Sequence, residues 1–222
     1  MQKSVNANLT EYYSKRAQEY EAIYHRDIPI RLKEQDSIGK EIKKFFQKKY
    51  VLELACGTGY WTKYLLGSAD KVLATDINVT MLEIASQRMR EPEIQFLIGD
   101  AYNPPVSFPQ FNGAMAHCWL SHIPKRKIPE FLDSMHGVLK ENASVMFMDT
   151  VYRKELGGKL IKKKGSEDTW KRRTLENKEE FDILKNYYTK EELLNLFAAY
   201  SDDVSVTYLT HFWIVKYTLS KK

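Results

Sequence analysis

Val51-Leu-Glu-Leu-Ala-Cys-Gly-Thr-Gly-Tyr-Trp-Thr62 is a short apolar run that ends in an acid, passes through a glycine turn and leads into aromatic residues. The run predicts a strand, a tight turn and a following helix. Glycine at positions 57 and 59 permits backbone angles and a close approach that a Cβ forbids. With the Glu53 carboxylate where the turn opens, this suits a ligand that is cationic at one end and nucleotide-like at the other. The dinucleotide fingerprint G-x-G-x-x-G is the rival, and it fails at Thr62, where a third glycine lets helix and strand pack closely. Tyr60 and Trp61 also crowd the place a pyrophosphate takes at a helix N-terminus. Short glycine motifs are degenerate, and on this run alone a plain connecting turn stays open.

Two further strands sharpen the reading. Lys71–Asp76 is a second short strand ending in an acid, a group that accepts both hydroxyls of a ribose. Ile94–Ile98 is a third and runs into Gly99-Asp100-Ala101, where Asp100 is a candidate acceptor for an adenine amino group. Each acid alone also reads as a helix cap or a solvated loop residue. Three successive strands, each ending in a carboxylate, read as a site.

On these residues the chain resembles the class I S-adenosylmethionine-dependent methyltransferases, specifically small-molecule enzymes of the methyltransferase type 11/25-like kind. The family's first motif, E-x-G-x-G-x-G, stands here as Glu53-Leu-Ala55-Cys-Gly57-Thr-Gly59, with Ala55 in place of the first glycine. Asp76 matches the acid after strand two, and Gly99-Asp100-Ala101 the motif after strand three. Phe111–His117 and the loop through Pro124 look like strand four, with Asn112 where an Asp is usual. The resemblance covers roughly residue 10 to the end.

The resemblance implies a doubly wound α/β fold: seven mainly parallel strands in the order 3-2-1-4-5-7-6, strand seven antiparallel, with helices on both faces and an N-terminal helical lid. It implies S-adenosylmethionine as cofactor and S-adenosylhomocysteine as product. Glu53 would take the cofactor's amino end, Asp76 the ribose and Asp100 the adenine. Ala55, Cys56, Gly57, Thr58 and Gly59 would form the turn around it. Ile77, Met81, Gly99, Ala101 and Tyr102 would complete the nucleoside side, and His117, Cys118 and Trp119 the strand-four side.

The coarse map agrees. Strands alternate with helices to about residue 150, which predicts a parallel sheet. Met81, Leu82, Ala85 and Met89 share one face of a helix over 79–90, and Ile128, Phe131, Leu132, Met135 and Leu139 one face of a helix over 125–140. Ala143–Asp149 is a fifth strand, Thr189-Lys-Glu-Glu192 a capping box opening a helix through Tyr200, and Asp203–Leu209 with Phe212–Leu219 a closing hairpin. We divide the single domain, 1–222, into a lid (1–45), a cofactor-binding core (46–150), a basic cap insertion (151–188) and a last helix with the hairpin (189–222).

Two segments lie outside the core. Thr10–Arg26 is helical by spacing, with Tyr13, Ala17, Tyr20 and Tyr24 in one row, and that row also suits plain packing. By resemblance, Tyr12, Tyr13, Arg16 and Tyr20 form a lid in which Arg16 pairs with the cofactor's carboxylate. Lys154–Arg173 carries eight basic residues against three acids, and that excess equals the +5 net charge of the whole chain. It reads as a solvated, partly mobile charge run or as an attractor for an anionic substrate, a phosphorylated head group or nucleic acid.

Methyl transfer is an in-line displacement, so alignment carries most of the rate, and a base matters only for a nucleophile that holds a proton. His117, ending strand four, is the expected base. His122 is expected as a structural or capping residue at the substrate side, and Tyr187 or Tyr188 as a wall of the substrate pocket. No residues stand at metal-ligand spacing, and no metal is expected. Asn103-Pro104-Pro105-Val106 lacks the aromatic that stacks on a flipped base and follows strand three, so it reads as a turn and nucleic acid is not the expected partner.

At 222 residues and 43% hydrophobic the chain suits one globular domain, with no apolar run long enough for a membrane span. The first ten residues lack an apolar stretch of signal-peptide type, and two cysteines make no disulfide framework, so a reducing cytoplasm is expected. Cys56 and Cys118, following adjacent strands, are expected as packed, reduced thiols. The function expected is methyl transfer to nitrogen or oxygen of a small acceptor, with an anionic one among the options. The alternatives are an RNA or protein methyltransferase that uses the basic insertion, whose binding would depend steeply on salt, and a cofactor-binding protein without catalysis. The acceptor and the oligomeric state are not legible in the sequence.

Overall fold

The computed structural model describes residues 5–157 and 159–220. Residues 1–4 of the expected lid, Gly158 of the basic insertion and residues 221–222 of the terminal segment lie outside the described residues. In chain order, α1 (Val5–Arg16) leads through a 3-10 segment, Ala17–Ile23, to α2 (Pro29–Phe45). The core follows as β1 (Tyr50–Leu54), β2 (Lys71–Asp76), α3 (Val79–Arg88), β3 (Ile94–Ile98), β4 (Phe111–His117), α4 (Ile128–Gly137) and β5 (Leu139–Thr150). A cap is built from α5 (Lys154–Gly157), β6 (Leu160–Lys162), β7 (Thr169–Thr174) and β8 (Glu180–Leu184), and the chain closes with α6 (Lys190–Phe197), β9 (Ser205–Tyr208) and β10 (Phe212–Thr218).

The seven-stranded sheet has the order β3-β2-β1-β4-β5-β10-β9, with β10 antiparallel to both its neighbours. With the three cap strands set aside, this is the expected order 3-2-1-4-5-7-6. Helices cover both faces, so the central strands are apolar on both sides. Val51 joins Ile38, Ile42 and Phe46 of α2 in one cluster, while Leu52 and Leu54 join Phe131, Leu132 and Met135 of α4 in the other. Alternation along β1 therefore sends Glu53 to the α2 side, where Met115 of β4 also packs. The predicted apolar stripes of α3 and α4 are buried, and Thr189 and Glu192 form the capping box at the head of α6.

The structure departs from expectation in four places. After Gly59 there is only a 3-10 turn, Thr62–Leu65, because Gly67 breaks the chain at φ 63° within one turn and Trp61 is drawn into the core. The N-terminal helix tightens to 3-10 geometry at Ala17, yet Tyr13, Tyr20 and Tyr24 still meet edge to face at 5.6 and 5.9 Å. β5 starts at Leu139, four residues early, with a bulge where Phe111 and Gly113 pair against it.

The fourth departure is the largest. The basic insertion is not a loose excursion but supplies two strands of a three-stranded antiparallel sheet, β6-β7-β8. Its alternating residues were masked by their charge. Lys162, Lys163 and Lys164 are exposed, whereas Lys171 is 2% exposed and Arg173 half-buried. Leu9 and Tyr12 of α1 pack against Leu175, Phe181 and Ile183 of this sheet, which ties the N-terminal segment to the cap.

The strand ends carry strain. Ala55 leaves β1 at φ 54° and Cys118 leaves β4 at φ 54°, a left-handed conformation that costs an L residue about 1–2 kcal/mol. The resembling family's glycine at position 55 is thus explained by the backbone. Gly59 (φ 77°) has a second reason, since a Cβ there would lie 2.2 Å from Cε of Met89. Ala55→Gly should raise stability by up to about 1 kcal/mol, relief of strain outweighing the added chain entropy. A melting temperature higher by roughly 1–4 °C is the expected readout in a thermal scan, and an unchanged or lower value would place no strain at Ala55.

Candidate active site

A cleft opens at the C-terminal ends of β1 to β4, where the strand order reverses between β1 and β4, the usual ligand position of an open α/β sheet. Ala55 and Gly57 line it from β1, Asp76, Ile77, Asn78 and Met81 from β2 and the head of α3. Gly99, Asp100 and Ala101 come from β3, and His117, Cys118 and Trp119 from β4. Tyr13 and Tyr20 reach it from the N-terminal segment. Most of the residues expected around a nucleoside cofactor are thus brought together.

Asp76 is held ready. Its two carboxylate oxygens accept the Gly57 N–H at 2.9 Å and the Asn78 N–H at 2.8 Å, and burial raises its pKa. Asp100 accepts the Tyr102 N–H at 2.9 Å and remains exposed. Asn78, which sequence reasoning passed over, caps α3 and donates to Oγ of Ser14 at 2.8 Å, fastening α1 to the cleft. Its signal was its place two residues after Asp76.

Glu53 sits behind the cleft wall rather than on it. It is 1% exposed, its Oε2 has no partner among the described residues, and burial pushes its pKa up to about 8. Cys56 packs beside the α2 cluster, and Thr58 donates to Glu21 at 2.8 Å. Gly59 lies against α3, and Tyr102 stacks edge-on with Trp119 and Phe131. These four shape the turn and wall without lining the cleft. Both cysteines are free thiols.

A second chamber, of about 130 Å³, adjoins the first. Tyr13, Tyr20, Cys118 and His122 line both, so these four side chains form the junction. Tyr12 and Arg16, expected at the cofactor, belong to this second chamber alone. So does Tyr187, whereas Tyr188 is buried in the main core against Trp213 and lines neither chamber.

The second chamber is cationic. Arg16, Arg26 and Arg31 enter from the N-terminal segment and α2, and Arg153, Lys171, Arg173 and Lys185 from the cap. No carboxylate is among its described lining residues. Lys185 is neutralised from behind: its Nζ donates to Oδ1 of Asp149 at 2.8 Å and to Oγ of Ser121 at 2.6 Å. Burial alone would raise the Asp149 pKa, and the Lys185 charge overrides it and holds the carboxyl below its usual range.

The two histidines differ. His117, the expected base, lines the first chamber and not the second; its ring stacks on Trp61 at 5.6 Å and neither nitrogen has a partner among the described residues. Burial lowers its pKa to about 3. His122 stands at the junction. Its Nδ1 lies 2.7 Å from the Leu184 carbonyl, which can only accept, so Nδ1 carries the proton and Nε2 accepts from the Tyr13 hydroxyl at 2.9 Å. Burial, helped by Lys185, lowers its pKa to about 3. Sequence reasoning missed Arg26, Arg31, Asp149, Arg153 and Lys185. Asp149 ends a strand as the three predicted acids do, and that was the available signal.

Residues 51–142 match the model of the methyltransferase domain family. An uncharacterized methyltransferase of Oceanobacillus iheyensis is 30% identical over 117 residues, covering 53% of this chain and 54% of the relative. A demethylmenaquinone methyltransferase of Lactobacillus johnsonii is 31% identical over 121 residues, covering 49% of each. The chain spans about half the length of the curated relatives it matches. Among solved structures, a DhpI–SAM–HEP complex superposes with a TM-score of 0.79 at 26% identity, over 97% of this chain and 98% of that one. A DhpI–SAH complex superposes over the whole of both chains with a TM-score of 0.80 at 24% identity.

The Asp149–Lys185 pair yields a stability test. Lys185→Met leaves a buried carboxylate without its cation and should cost about 3–5 kcal/mol in urea unfolding near neutral pH. In the parent protein the depressed Asp149 pKa contributes stability that is present above the unfolded value and lost as pH falls through the folded one. In the variant the unpaired carboxyl protonates readily, so the deficit should shrink on acidification. A deficit below about 1 kcal/mol at every pH would mean that the pair holds nothing together.

Proposed function

We propose, from the premise that the chain is a class I S-adenosylmethionine-dependent methyltransferase by its fold and its central domain, that it transfers a methyl group to a nitrogen or oxygen atom of a small anionic acceptor. One observation carries the proposal: a cleft with acids at its strand ends joins a cationic chamber through Tyr13, Tyr20, Cys118 and His122.

The cleft fits the cofactor. Asp76 retains acceptor capacity for ribose hydroxyls beyond its two backbone bonds, and Asp100 stands free for an adenine amino group. The orphaned Glu53 carboxyl, buried near the turn, suits an α-amino group directly or through water. His117 offers its two unpartnered nitrogens from the same side of the sheet, a role in holding the methionine part rather than in proton transfer. When bound, the cofactor supplies an electrophilic methyl on a positively charged sulfur. The aromatic faces of Tyr13 and Tyr20 at the junction favour that charge.

The chain's own residues then hold the acceptor in line and exclude water. A nucleophile that already bears negative charge needs no base. One that carries a proton meets Nε2 of His122 at the junction, the nitrogen to which Tyr13 now donates. Burial and Lys185 keep that ring a weak base, so it orients the nucleophile by accepting a hydrogen bond rather than by removing its proton early. Among the relatives are enzymes named for demethylmenaquinone and 2-phytyl-1,4-naphtoquinone. A chamber with seven Arg and Lys residues and no lining carboxylate supports a charged acceptor over an uncharged ring.

Titration calorimetry with S-adenosylmethionine and S-adenosylhomocysteine tests the reading. Micromolar binding is expected, weakened about ten-fold or more in Asp76→Ala whose fold is verified by circular dichroism. Absence of binding to either ligand would overturn the assignment of the cleft. Protons give an independent readout. Burial keeps much of Glu53 protonated near pH 7, and pairing with a cationic amino group ionises it, so binding should release up to about one proton. Calorimetry in two buffers of different ionisation enthalpy should show this release in the parent protein and its loss in Glu53→Gln. Equal proton release in both would separate Glu53 from the cofactor.

A further inference from the structure

Resting on the methyl-transfer reading, we infer that Lys171 and Arg173 form the seat for a compact, doubly charged oxyanion on the acceptor, and that this pair selects dianions over monoanions.

The alternation of β7 separates its three consecutive cations. Lys171 and Arg173 face the chamber, while Arg172 between them turns outward and binds Asp182 at 2.9 Å and Glu180 at 3.9 Å. The outward cation has counterions and the inward pair has none. Lys171 is 2% exposed, with its Nζ beside the contacting rings of Tyr152 and Tyr187, 5.2 and 5.1 Å from their centroids. Beyond the β-ladder bonds of their backbones, neither the Lys171 ammonium nor the Arg173 guanidinium has an ion pair or side-chain hydrogen bond among the described residues. A desolvated ammonium without a counterion is costly, and proteins normally pair it or neutralise it. Here burial and the neighbouring Arg173 and Lys185 push the Lys171 pKa down to about 8, the direction that a bound anion reverses.

The charge inventory sets the class. Lys185 is matched by Asp149, Arg31 is bonded to the Ile23 carbonyl and Gln35, and Arg153 to the Thr210 carbonyl. Lys171 and Arg173 are left on the cap side, with Arg16 and Arg26 opposite, near enough that Arg16 and Arg173 both depress the Arg26 pKa. Two cations on one strand face, i and i+2, suit one group with two negative charges, and the guanidinium adds planar two-point bonding. A monoanion would leave one cation of the pair uncompensated.

The test uses the full chain loaded with S-adenosylhomocysteine, titrated at constant ionic strength and pH 7.5. Sulfate and malonate are the dianions, methyl sulfate and acetate the monoanions of matching shape. Binding at least ten-fold tighter for a dianion than for its matching monoanion is expected, and sulfate against malonate then tells tetrahedral from dicarboxylate recognition. Lys171→Met and Arg173→Gln should each weaken dianion binding ten-fold or more, with Arg172→Gln as the same-strand control that leaves it unchanged. Equal binding of monoanions and dianions, equal loss in Arg172→Gln, or no anion binding by the loaded protein would each overturn the inference and leave the methyl-transfer reading standing. Failure of S-adenosylhomocysteine to bind at all would overturn that reading instead. If Lys171→Met does not fold, Lys171→Arg, which keeps the charge and should keep the dianion preference, decides in its place.

Discussion

The salt bridge between Lys185 and Asp149 ties the cap sheet to the end of the seven-stranded sheet, at the centre of a set of bonds that includes the Leu184 carbonyl to His122. Asp149 lies at the C-terminal end of β5, opposite Trp213 of β10, and Lys185 directly follows β8 of the cap. The Ser121 backbone N–H and hydroxyl close the link, bonding to Asp149 and Lys185 respectively, so the loop after β4 is held by the same charges. Buried ion pairs add little net stability against an apolar alternative, yet breaking one is expensive. The gain here is register: β7 is fixed above the parallel strands, and the cationic wall stands over their carboxyl ends. Asn186 extends the tie through bonds to the Ile123 carbonyl and Asp168.

Much of this was legible in the sequence because it depends on local pattern. Apolar strands ending in acids place Asp76 and Asp100 at one edge of a parallel sheet whatever the details of packing. The stripes of α3 and α4 and the Thr189–Glu192 box follow from spacing alone. What escaped was decided by tertiary contact. Tyr187 and Tyr188 are chemically identical and adjacent, and only the register of the chain leaving β8 sends one to the chamber and the other to Trp213. Lys171 and Lys163 belong to one basic run, but hydrogen bonding to β8 buries the first and leaves the second in solvent over Trp170. His117 was placed correctly at the strand end, and alternation along β4 then turned it toward Trp61, on the side of Met115. A three-stranded cap was hidden because charge in Thr169–Thr174 outweighed its alternation.

Electrostatics divides the two chambers as clearly as shape does. The cleft side holds carboxyl groups, Glu53 and Asp76, whose pKa values burial raises. The other chamber holds cations with few counterions, and its own basic nitrogen, on His122, is kept neutral by burial and by Lys185. At the junction the neutral side chains Tyr13, Tyr20 and Cys118 separate these regions, and burial with Asp149 nearby raises the Cys118 thiol to about 12, so no thiolate competes as a nucleophile. A positively charged donor and a negatively charged recipient would thus approach from opposite sides through an uncharged passage.

Helix α1 has a place in both compartments. Leu9 and Thr10 wall the cleft, Tyr12 and Arg16 wall the cationic chamber, and Tyr13 belongs to both. It is moored to each by separate bonds, through Asn78 to Ser14 on one side and through Lys15 to Glu179 on the other. One rigid element therefore serves two doorways. If the chain transfers methyl groups as proposed, a displacement of α1 would open the cleft and the cationic chamber at once, so that donor and acceptor would share one door.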